Sequence, residues 1–255
     1  MKKFLSLISC LVLSLVSVQA QFGPPTGKSS PGPGLSGSTA KLFGENSAFS
    51  ASLEMQTSAA NDPDTMSMPG KIYFDQGKSR FEMDMSQIKS AKIPPQMAAQ
   101  MKSMGMDKMI VISRPDKKVG YQIYPGMQAY LESPLPDKEA GGQSDDYKLE
   151  MTELGKETLD GHPCIKNKAV VTEKDGTKHE SLIWNAEDLK KFPLKIEQTQ
   201  ENTKVTMLFR DLKLSKPGAD LFDPPAGVTK YDSMQSMMQQ IMMKQFGGAR
   251  PAQGQ

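Results

Sequence analysis

Cysteine and histidine are nearly missing from this chain, which has two of each in 255 residues and a single tryptophan. Cys10 lies in the leader described below, so the exported chain keeps Cys164 alone. A lone thiol excludes an intramolecular disulfide, and the fold must rest on its core. Two histidines and one cysteine fall short of a four-ligand structural zinc site. No G-x-S-x-G or H-E-x-x-H is present, nor any glycine-rich loop with the spacing of a phosphate cradle. Beyond the leader there is no long apolar run, so no transmembrane span is expected in the mature chain. An excess of charge is missing as well. Lys2 and Lys3 leave with the leader, which takes the formal charge from +2 to 0. A neutral chain has no global basic field, so nucleic acid is not expected as a partner.

What is there begins with "MKKFLSLISCLVLSLVSVQA". Lys2 and Lys3 precede an apolar stretch, and Val18-Gln19-Ala20 is a small-x-small cleavage site, the pattern of a secretory signal peptide cut after Ala20. "LISC" at residues 7–10 resembles a lipoprotein box. Lipidation at Cys10 would leave too short an apolar region, so cleavage after Ala20 is favoured and a periplasmic or secreted location is expected. Residues 21–46, rich in Gly, Pro and Ser, read as a disordered tether, and 247–255 as a disordered tail.

Between these tails the apolar residues alternate. Phe49, Ala51, Leu53 and Met55 share one face of a strand whose other face is polar, and Phe81, Met83 and Met85 repeat the pattern. Turn residues at 75–78, 115–118, 125–126, 173–176 and 201–202 separate about ten antiparallel strands, which predicts a barrel or a strongly curved sheet. "PPQMAAQMKSMG" from Pro95 predicts one helix with Gly105 at its exit. Residues 233–246 predict another, with Asp232 as N-cap and Met234, Met238, Ile241 and Met242 on one stripe.

"DGHPCIKNKAV" at 160–170 places His162 two residues from Cys164, a spacing that could serve a nucleophile and its base. Pro163 between them favours a turn at Asp160-Gly161, with Cys164 opening a strand as a small apolar side chain. No catalytic residue and no cofactor is expected, and the chain reads as non-enzymatic. Methionine is the compositional excess, 19 in all. The M-x-M pairs Met66/Met68, Met83/Met85 and Met104/Met106 are soft ligands suited to Cu(I). They are equally a flexible lining for varied apolar ligands.

Three stretches resemble known families. "GKIYFDQGKSRFEMDM", residues 70–85, resembles the hairpin of an exported bacterial family with no assigned function. "LIWNAEDLKKFPLKIE", residues 182–197, is similar to the Trp–short helix–Pro–Leu–Lys hairpin of the outer-membrane lipoprotein carrier (LolA/LolB-like) superfamily. "ADLFDPPAGVTKYD", residues 219–232, looks like the exit segment of both. The resemblance implies an α+β fold, mainly β. It would be an incomplete antiparallel β-barrel (half-barrel) over 47–232, partly covered by helices, with an interior open to acyl chains. The expected function is binding of lipid or other apolar ligands, carrier-like, by Phe49, Leu53, Met55, Phe81, Met83 and Met85, with Met234, Met238 and Met242 as a lid. Two alternatives stand beside it: Cu(I) sequestration through Met66, Met68, Met83, Met85, Met104 and Met106, or an envelope sensor or assembly protein that binds another protein.

Overall fold

A computed structural model of the chain describes residues 37–59, 64–91, 93–135, 147–200 and 202–246, all within one compact unit, Pro31–Gln255. The expected leader with Cys10, residues 21–36 of the expected tether and the expected tail 247–255 lie outside the described residues.

Two meanders build the sheet. The first runs through β1 (Ala48–Ala59), β2 (Thr65–Asp75), β3 (Lys78–Asp84), β4 (Lys108–Arg114), β5 (Val119–Tyr124) and β6 (Ala129–Pro134). The second runs through β7 (Lys148–Leu159), β8 (His162–Thr172), β9 (Lys178–Ala186), β10 (Phe192–Gln200) and β11 (Thr203–Lys213). An antiparallel seam between β1 and β11 joins them, and β12 (Thr229–Tyr231) adds to β6 in parallel. The order β12-β6-β5-β4-β3-β2-β1-β11-β10-β9-β8-β7 leaves the sheet open, with β12 and β7 as edges. Twelve strands replace the expected ten. β7 is exposed along most of its length, so neither face imposes a period-two pattern, and β12 has only three residues.

The turns follow from local chemistry. Gln76-Gly77 and Asp160-Gly161 both adopt positive φ, at 50° and 87° and at 49° and 86°, the conformation of two-residue hairpins with the native strand twist. Register then fixes the core. Phe49 lies opposite Phe74, Ala51 opposite Ile72, and Ile72 opposite Phe81, and all five are buried on one face.

The segment before β1 corrects the expected tether. Residues Gly37–Ala40 form a short helix (α1), followed by a 3-10 turn at Lys41–Phe43 that buries Leu42 and Phe43. The Phe43 ring sits 4.8 Å from Phe49, 6.0 Å from Phe74, 5.4 Å from Phe192 and 5.6 Å from Phe209, centroid to centroid. The ordered fold therefore begins within residues 21–46, because an apolar pair at the end of a Gly- and Pro-rich stretch plugs the sheet.

The helix α2 (Pro95–Ser103) ends at Gly105, whose φ is 71°. Gly105 packs against Gly126 so closely that a Cβ on Gly126 would lie 2.6 Å from the Gly105 carbonyl oxygen. The helix α3 (Met234–Phe246) is capped by Ser233, whose Oγ accepts from the Ser236 N–H at 3.1 Å, rather than by Asp232. Its buried side chain is Met237, against Tyr124, Ala129 and Tyr231, with Met234 and Ile241 beside it. The stripe is thus 234, 237 and 241; Met238 is off it, and the Met242 side chain lies outside the described residues.

On the opposite face of β3–β5, the 3-10 turn Ala219–Phe222 places Phe222 against Ile112, Tyr121 and Ile123. Buried Arg80 donates to the Leu221 carbonyl at 2.9 Å. Arg114 donates to the Phe222 carbonyl at 3.1 Å, to Asp223 at 2.7 Å, and in a bidentate pair to Asp116 at 2.9 and 2.8 Å. Among the described residues no helix is long and apolar enough to cross a membrane.

Candidate functional site

His162 and Cys164 do not form a catalytic pair. The strand β8 starts at His162, yet its Nδ1 meets Asp188 Oδ2 at 2.8 Å, while the Cys164 Sγ points at the His162 carbonyl, 3.5 Å away. Cys164 is 1% exposed, and burial pushes its thiol pKa up, the opposite of what a thiolate nucleophile needs. Among the described residues no group of three or more His, Cys, Asp or Glu is arranged to hold a metal ion.

The methionines gather in a way that chain spacing does not show. Met55 stands opposite Met207 on one side and Met68 on the other, so three strands place thioethers in one cross-strand row. One step along, Met83 stands opposite Met109. Met109 packs both on the main core and on the cluster that contains Met106, Met127 and Met237. A nearly continuous methionine band therefore crosses the sheet from β11 to α3. Of the expected lining residues, Phe49, Leu53, Phe81 and Met83 are buried core, while Met55 and Met85 are partly buried against it. Met66 and Met104 are also partly buried. The Met109 Sδ accepts a hydrogen bond from Gln122 Nε2 at 3.1 Å, which orients that thioether.

A separate opening with an apolar floor lies between the Phe43 turn and the edge of the second meander. A cleft of about 860 Å³ is lined by Leu42 and Phe43 from that turn, Leu149 and Met151 from β7, Ile165 from β8, and Leu214. Its size falls in the range of small-molecule sites, roughly 300–1,000 Å³. Leu149 lies opposite Val171 and Met151 opposite Ala169, both buried, so the cleft continues the core face outward. Met151 is 47% exposed, one of three large apolar side chains left so open among the described residues. A second hollow of about 570 Å³ is lined by Leu53, Met83, Met109 and Ile110 together with Glu54, Lys71, Glu82, Asp84, Lys108 and Arg210, so two of the expected lining residues, Leu53 and Met83, border it.

The rim of the apolar cleft carries Lys190 and Lys191, in the connection from β9 to β10. This connection is a hydrogen-bonded turn, not the short helix that the resemblance implied. Both lysines adopt left-handed backbone, with φ of 52° and 54°. That conformation costs a non-glycine residue about 1–2 kcal/mol. Two buried asparagines hold it in place: Asn46 Nδ2 donates to the Lys190 carbonyl at 3.2 Å and Asn185 Nδ2 to the Lys191 carbonyl at 2.8 Å. Asn167 Nδ2 in turn donates to Asn185 Oδ1 at 3.1 Å, which fixes that amide. Sequence reasoning missed this cleft because Leu42 and Phe43 lay in the expected tether and β7 had no alternating face. The signals available were the apolar pair in "AKLFGEN" and the Lys-Lys step in "EDLKKFP".

A family model described as a domain of unknown function, DUF4412, matches residues 49–191. None of the curated protein sequences matches the chain. Among solved structures, a LolA superfamily protein from Nitrosomonas europaea is similar at 9% identity, with a TM-score of 0.39, over 73% of this chain and 94% of that one. LprF from Mycobacterium bovis is similar at 12% identity, with a TM-score of 0.40, over 74% and 93%. The MucA/MucB complex of Pseudomonas aeruginosa is similar at 14% identity, with a TM-score of 0.34, over 76% and 62%.

Proposed function

The chain belongs to the DUF4412 family, whose function is unassigned, and we propose that it is an exported, non-enzymatic binding protein for lipid or other acyl-chain ligands. The observation that carries this reading is the cleft of about 860 Å³, walled by Phe43, Leu149, Met151 and Ile165 and continuous with the core face. An open sheet edge allows entry, and Met151 gives the cleft a flexible side chain that repacks around ligands of different shape. Burial of Cys164 and engagement of His162 by Asp188 argue against a thiol chemistry. The leader-like first twenty residues and the envelope-type resemblance support a periplasmic or secreted location.

Native mass spectrometry of gently purified protein is expected to show co-purified lipid, and the protein is expected to bind an uncharged fluorescent apolar probe such as Nile red. Met151→Asp places a charge in the cleft at an exposed position. It is expected to weaken probe binding at least tenfold while the thermal midpoint stays within about 2 °C, since exposed substitutions cost little stability. Absence of both lipid and probe binding would sink the reading. A second reading, Cu(I) binding, is favoured by the Met207–Met55–Met68 row. Anaerobic Cu(I) titration against a chelator, with Met55→Leu as control, separates the two.

A further inference from the structure

Hairpins of two left-handed residues ordinarily end in glycine, as Gln76-Gly77 and Asp160-Gly161 do here. Lys190-Lys191 is the exception: of seven described non-glycine residues with positive φ, these are the only two in succession. Nothing in the turn's geometry calls for lysine, because asparagine or glycine would adopt it more readily. What lysine adds is charge, and a strained pair that the surroundings hold in place is the kind of outlier associated with function. Neither side chain forms an ion pair among the described residues, although lysines on β8, β10, β11 and β12 do. Lys41 and Lys216 line the same cleft, against two acids, Glu45 and Glu153, and Lys216 lies 3.8 Å from buried Asp75. The cleft thus has a net positive rim over an apolar floor.

We infer that the cleft takes a single-chain amphiphile with an anionic head group, carboxylate or phosphate, the head held by Lys190 and Lys191 and the chain lying along Phe43, Leu149, Met151 and Ile165. This rests on the apolar-ligand reading above and specifies the ligand class. Two adjacent ammonium groups reach one head from the same turn, and the asparagine-held backbone keeps them at the mouth without a conformational change on binding.

The test is displacement of Nile red from the purified full chain at low salt. The competitors are dodecyl phosphate, dodecanoate, dodecanol and dodecyltrimethylammonium. The two anions are expected to displace the probe at a concentration at least tenfold below that of dodecanol, with the cation weakest and inorganic phosphate without effect. In Lys190→Asn/Lys191→Asn, the anions are expected to come within twofold of dodecanol while dodecanol itself is unchanged. Asparagine tolerates the left-handed backbone, so this variant is expected to melt at or above the wild-type temperature. Equal displacement by all four chains in the wild type, or an anion preference that survives in the variant, overturns the head-group assignment and leaves the apolar cleft standing. Failure of every chain to displace the probe, or failure of the probe to bind a protein that also carries no co-purified lipid, overturns both.

Discussion

Phe43 touches four other phenylalanines and is 1% exposed, so its removal leaves a hole that the sheet cannot easily close. Phe43→Ala is expected to cost about 3–5 kcal/mol in urea unfolding. A chain cut at residue 47 is expected to lose at least as much, because Leu42 and Phe43 go together. A cost below about 1 kcal/mol would show that the turn is not part of the fold. Composition hid this residue, since Gly, Pro and Ser around it obscured one apolar pair. Cys164 was legible for the opposite reason: Asp160-Gly161 marks a turn, and the alternation after it sends Cys164 inward. The row of Met207, Met55 and Met68 was beyond reach, because it depends on which strands pair rather than on any spacing along the chain.

Elements that bury one face announced themselves, and those that do not stayed hidden. β1, β3, β5 and the hairpins around residues 76 and 161 have both an apolar alternation and a turn signal. β7 has neither, and as a polar edge strand with a bulge between Glu153 and Gly155 it carries the features that discourage unwanted strand pairing. The segment 219–223 is held by arginine rather than by pattern. The Arg114 hydrogen bonds hold Asp116 below its ordinary value of 3.8. Burial pushes Asp223 up, but hydrogen bonds from Lys117 and Arg114 outweigh it and leave Asp223 lowered as well. A carboxylate lowered in the folded chain adds stability that is complete above its unfolded pKa and is lost as pH falls through the folded value. The thermal midpoint is therefore expected to drop as pH falls below the ordinary aspartate value of 3.8. Arg114→Gln is expected to melt lower at pH 6 and to show a shallower acid limb. Parallel curves for the two proteins would remove this pair from the account of acid stability.

At the scale of the molecule, strand period and turn spacing were enough for a curved, mainly antiparallel sheet, but not for its connectivity. Local hairpins specify two meanders, and nothing local specifies that β1 must meet β11. Ala59 pairs with Thr203 and Ser50 with Lys213, so the seam is made of contacts between the first and last long strands. Closing such a loop costs entropy before any contact repays it, so the seam is expected to form late in folding. The order of synthesis sharpens the point. β1 emerges first, and the edge that will receive β11 stays open until residues 203–213 follow. During that interval Phe49 and Leu53 stand beside an unpaired strand edge, the combination that invites aggregation. A nascent chain of this topology therefore keeps an open edge along most of its length, and that edge is covered only when β11 docks.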